Sequence, residues 1–88
     1  MPPRPAAAAD AALQNFIDKY SDDAPFQIGE AYAMRKDVDN VFKWLEHAHK
    51  VKDPGLEDLL YDAFLQSYHR DPRFARLCKE LNLPVPKN

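Results

Sequence analysis

Leu13, Phe16, Ile17 and Tyr20 are spaced i, i+3, i+4, i+7, which places them on one stripe of an α-helix. Ala9 and Ala12 lie beside the stripe, and Asp10 reads either as the cap of the helix start or as an early helical residue, where a carboxylate suits the dipole. Ser21-Asp22-Asp23 ends this helix and opens the next. Asp22 or Asp23 can accept the free amides of the following first turn, where Pro25 is tolerated. A second helix is predicted over 24–35, with Ile28, Ala31 and Tyr32 on its core side and Gly29 between them. Glycine inside a helix costs about 1 kcal/mol against alanine, so a closely approaching neighbour helix is expected to offset it.

Asp37 reads as the cap of a third helix. Its stripe is Val38, Val41, Phe42, Leu45, Ala48 and His49, widened by Trp44, and Glu46 and Lys50 form an i, i+4 pair. Lys52-Asp53-Pro54-Gly55 stops it. Residues 56–68 are apolar over a wide arc and read as helix, either continuous or interrupted near Asp62. His69-Arg70-Asp71 turns the chain, with Asp71-Pro72 as cap and first helical residue. Phe74, Leu77, Cys78 and Leu81 form the last stripe, ended by Asn82 and Pro84.

Composition sharpens the class. The 88 residues contain 12 Ala and nine Leu, but only four Val, two Ile and no Thr. Helices favour the first two and sheets the β-branched types. With two glycines, tight hairpin turns are scarce. The expectation is an all-α fold of four to five helices, in antiparallel hairpins because the links are short. A tail is expected over 1–8, where three of the first five residues are proline, then one helical domain over 9–83 and a second tail over 84–88. No apolar run nears the ~20 residues of a membrane helix. The net charge of -2 disfavours bulk nucleic-acid binding.

The stretch 25–54 resembles the tetratricopeptide repeat through Pro25, Ile28-Gly29, Tyr32, Val41, Leu45, Ala48 and Pro54. The intervals match as far as Ala48, and Pro54 falls one residue late. Pro25 stands in place of the usual tryptophan, Lys36 in place of the inter-helix glycine, and Val41 in place of a small residue. The wider sequence is similar to the C-terminal repeat segment of bacterial multidomain regulators. That resemblance implies a fragment of a right-handed superhelix, with its repeat core at about 22–54 and capping helices over 56–82. The helix at 13–20 would then be the second helix of a repeat whose partner is missing.

The resemblance also implies that the first helix of the hairpin lines a concave, partner-binding face. This points to Asp23, Phe26, Gln27, Glu30, Ala33 and Met34. Phe26 and Met34 lie off the core stripe, and an exposed aromatic beside an adaptable methionine suits a peptide groove. Packing of both against another helix is the competing reading. The family's clamp for a terminal carboxylate needs Lys and Asn where this chain has Phe26 and Gln27, so that ligand is disfavoured.

Other chemistry is thin. His47 and His49 are two apart, not the i, i+4 of a zinc pair. Cys78 reads as a small buried hydrophobe. Asp58 and Asp62 read as a surface pair on one helix, and Arg70, Arg73, Arg76 and Lys79 as a solvated basic face with an Arg76–Glu80 pair. No enzyme, cofactor or metal site is expected. The leading function is a protein–protein interaction module for a protein or peptide partner. The alternative is a capping or self-association domain that forms a homo-oligomer through the arc 56–68. The compartment is open, with the cytoplasm favoured.

Overall fold

The computed structural model describes residues 5–86, with side chains from residue 9 onward. Its regular elements are all helical. The α-helices are α1 (Pro5–Tyr20), α2 (Pro25–Met34), α3 (Val38–Val51) and α4 (Pro72–Glu80), with two 3-10 segments, Pro54–Asp58 and Ala63–Tyr68, between α3 and α4. The expected tail over 1–8 is therefore already helical from Pro5, so residues 6–9 lengthen α1. Residues 1–4, 87 and 88 of the two expected tails lie outside the described residues.

Aspartates start most of the later elements. Asp37 accepts from the Asn40 backbone amide and from Asn40 Nδ2, the latter at 2.8 Å. Asp53, Asp62 and Asp71 each accept the amide two residues on, from Gly55, Phe64 and Arg73 at 2.8, 2.8 and 2.9 Å. Each satisfies an amide that the helix itself leaves free. The expected cap of α2 by Asp22 or Asp23 does not form. Ala24 is the N-cap residue, with no side-chain bond of its own. Asp53, 27 residues away, accepts the Phe26 amide instead at 3.0 Å, while Asp22 accepts or shares a bond with His47 Nε2 at 2.8 Å.

Three stops share one geometry. Lys36, Lys52 and Asn82 have φ of 60°, 61° and 60°. In each, the next residue's amide bonds back to a carbonyl five residues earlier: Asp37 to Tyr32, Asp53 to Ala48 and Leu83 to Cys78. This is the left-handed close that usually takes glycine. Lys36 thus takes a left-handed backbone that glycine usually supplies.

The arc 56–68 is not one helix. It breaks at Asp62, whose backbone is extended (φ −67°, ψ 122°) while its carboxylate caps the next turn. The two 3-10 segments form an arm that folds back on α2 and α3. Leu56, Leu59 and Leu65 point into the core, and Tyr68 Oη donates to the Ala33 carbonyl at 3.1 Å.

The core lies between α2, α3, the arm and α4, around Phe26, Val41, Phe42, Leu45, Leu59, Leu65, Phe74 and Leu77. Gly29 explains itself here: a Cβ at this position would sit 3.3 Å from Leu45 Cδ2, so its absence lets α2 and α3 approach. Cys78 is fully buried, and burial pushes its thiol pKa up, which suits an inert packing role. Trp44 is buried at the edge of the α3 stripe, with His47 edge-on to its ring and Lys43 over it. By contrast, the α1 stripe is only half covered: Leu13, Phe16 and Ile17 are half-buried and Tyr20 is exposed. An ion pair from Asp10 to Arg35 ties α1 to the end of α2.

The basic residues of α4 are partly spent. Arg73 spans Asp71 and Asp39, at 2.9 Å each, and lies over the Phe42 ring. Its hydrogen bond holds the Asp71 carboxyl below the usual range. Arg76 turns to Glu46 on α3 at 3.5 Å rather than to Glu80, which also replaces the expected Glu46–Lys50 pair. Among the described residues, no helix is long and apolar enough to cross a membrane.

Candidate functional site

The N-terminal half of α2 and the arm face each other across an open groove of about 390 Å³. Asp23, Gln27 and Glu30 line one side, and Asp53, Asp58 and Asp62 the other, with Phe26 and Gly55 at its base. Among the described residues, no lysine, arginine or histidine lines it. The geometry follows from local sequence. Asp53 and Asp62 are held at the groove edge because they cap the two 3-10 segments. Glu30 lies one turn beyond Phe26 on α2 and so faces them.

Of the six residues expected to line the concave face, four lie at this groove: Asp23, Phe26, Gln27 and Glu30. Phe26 is only 4% exposed and belongs to the core. The expectation of an exposed aromatic there is corrected: the Gly55 backbone closes over its ring, and Asp53 pins its amide. Ala33 is likewise buried, beneath Tyr68 Oη. Met34 is 65% exposed but faces a separate apolar groove with Leu13, Ala31 and Arg35, between α1 and α2.

Three acidic residues of the groove were not anticipated in it. Asp53 reads from sequence as part of a helix stop, and Asp58 and Asp62 as an i, i+4 pair on one helix. Because the arm breaks at Asp62, that helical spacing does not apply, and both side chains line the groove with Glu30. The Asp-Pro-Gly run at 53–55 is the available signal, since it marks a capped turn.

The concentration of carboxylates has an electrostatic cost. Burial, then the side-chain bond to Asp62, then the charges of Asp62, Asp58 and Asp53, push the Glu30 pKa up to about 8. A proton on Glu30 lets it donate to Asp62. No group of three histidine, cysteine or acidic side chains among the described residues is arranged to hold a metal ion.

Gly55 is a tight point of the groove floor. A Cβ there would lie 2.9 Å from Phe26 Cδ1 and 3.0 Å from Phe26 Cβ. The second atom is fixed to the α2 backbone and cannot turn aside. Gly55→Ala is therefore expected to lower stability by about 1–3 kcal/mol, as overpacking does, read from the urea midpoint.

Tyr61 and Phe64, on either side of Asp62 in the chain, are 80% and 48% exposed. Comparison with protein-family models, with curated proteins and with solved structures returns no match.

Proposed function

We propose that this chain is a protein–protein interaction module, not an enzyme, and that the α2–arm groove takes a basic segment of a protein partner. The observation that carries the reading is the lining itself: four aspartates and the protonated Glu30, with no cation among the described lining residues. Lysine or arginine from a partner would supply the missing counter-charge, mostly as rate and specificity rather than raw affinity. Tyr61 and Phe64 add exposed rings on which an arginine can stack. The repeat-like hairpin of α2 and α3 supports the same reading, because such scaffolds present the first helix of a pair to their ligands. A tetratricopeptide-type superhelix and a cytoplasmic setting belong to this proposal.

The test is selection from a random peptide display library against the full chain and against an Asp23→Lys, Asp58→Lys double variant. Neither side chain caps an element or bonds within the fold, so circular dichroism of the variant should match the parent. Lysine- and arginine-rich peptides are expected to enrich on the parent and to lose about tenfold or more in affinity on the variant. Enrichment of neutral or acidic peptides, or equal binding by both chains, would sink the proposal.

The exposure of Tyr61 and Phe64 also supports a second reading, self-association through the outer face of the arm. Sedimentation equilibrium decides it: a strict monomer at high protein concentration counts against a homo-oligomer.

A further inference from the structure

We propose that Glu30 and Asp62 form a proton-operated latch, which closes the 3-10 arm onto α2 when they share a proton and loosens it when both are ionised. The two carboxyls straddle the seam between elements. Glu30 is carried by α2, while Asp62 is pinned to the arm by accepting the Phe64 amide at 2.8 Å. A proton between them makes a bond across the seam, and its loss leaves two like charges in its place.

Nothing facing Glu30 relieves that repulsion. Asp58 and Asp53 face it from the arm side and Asp23 from the turn before α2, and among the described residues no basic side chain of α1, α3 or α4 lines the groove. The arm is also the element least able to resist. It consists of two short 3-10 segments with an extended residue between them, and such segments have poorer hydrogen bonds than an α-helix. Its other polar ties to α2 are few: Tyr68 Oη to the Ala33 carbonyl and the Phe26 amide to Asp53. Buried Leu59 and Leu65 supply the rest. Opening is thus local, confined to residues around Asp62, while the α2–α3 hairpin stays formed.

The sign follows from linkage. With its folded-state pKa raised to about 8, well above the ordinary glutamate range, Glu30 holds its proton in the closed state after an opened arm has released it. Closure is then fully supported below the ordinary carboxylate range, and that support is lost as pH rises through about 8. The latch operates near neutrality and needs no partner.

Amide hydrogen exchange by NMR tests it on the full chain, with rates corrected for intrinsic exchange and referred to the amides of α3. Protection of residues 63–68 is expected to fall about a hundredfold between about pH 6 and pH 9 in the parent. Glu30→Gln keeps a donor towards Asp62 and carries no charge, so its protection should stay flat across that range. Asp62→Asn keeps the cap on the Phe64 amide and should flatten the profile too, which guards against a folding defect in either variant alone. The same pH dependence in the parent and both variants would overturn the latch. So would titration of the Glu30 carboxyl carbon in the ordinary glutamate range.

Discussion

Phe26→Glu is expected to leave the chain without a cooperative unfolding transition at 25 °C. The ring is 4% exposed and sits at the meeting point of α2, the arm and the core. Truncating a buried phenylalanine costs about 3–5 kcal/mol. A carboxylate in its place adds the cost of burying an unpaired charge, beside a groove whose other ionisable groups are already acidic. A chain of this length holds about 4–13 kcal/mol in all. The two costs together consume it. Urea denaturation followed by circular dichroism gives the result directly, with Met34→Glu as the control. Met34 is 65% exposed, so that change should stay within about 0.5 kcal/mol of the parent. A normal transition for Phe26→Glu would mean that the groove floor is not where it is described.

Phe74→Ala is the second large effect. Phe74 is the largest fully buried side chain of α4. The His69 ring lies against it, with centroids 4.4 Å apart. The Asp71 cap and the Arg73 bridge to Asp39 hold α4 only at its start. Losing the ring should therefore lower stability by about 3–5 kcal/mol, with the midpoint moving and the m-value unchanged if the whole domain unfolds as one. A shallower m-value, with far-UV signal lost in two steps, would show that α4 can leave while α2 and α3 remain folded.

The α-helical stripes were readable in the sequence because their period is strong and their caps are explicit. Asp37 and Asp71 start the helices assigned to them, and Gly29 meets the close neighbour its cost required. The arm was less readable. Its apolar residues are dense enough to suit a continuous helix, yet the chain breaks where the Asp62 side chain accepts the Phe64 amide. Local propensity does not reveal which of the two bonds wins. The groove was half readable for the same reason. Asp23, Gln27 and Glu30 were expected at a binding face through the repeat resemblance alone, whereas Asp58 and Asp62 reach the groove only because the arm is broken. Phe26 was misplaced because its cover comes from Gly55 and Asp53, far along the chain, which no helical period can show. Asp53 as the distant cap of α2 escaped for the same cause.

The packing between neighbours along the chain has a kinetic consequence. α1 rests on α2, α2 on α3, the arm on both, and α4 on α3. Even the hydrogen bond from Tyr68 to Ala33 spans only 35 residues. Folding therefore asks for little loop-closure entropy before contacts reward it. Such a chain assembles in microseconds to milliseconds, about as fast as its helices find their neighbours. During synthesis, α2 and α3 can pair while the segment that becomes α4 is still inside the ribosome, so the nascent chain exposes its apolar stripes only briefly.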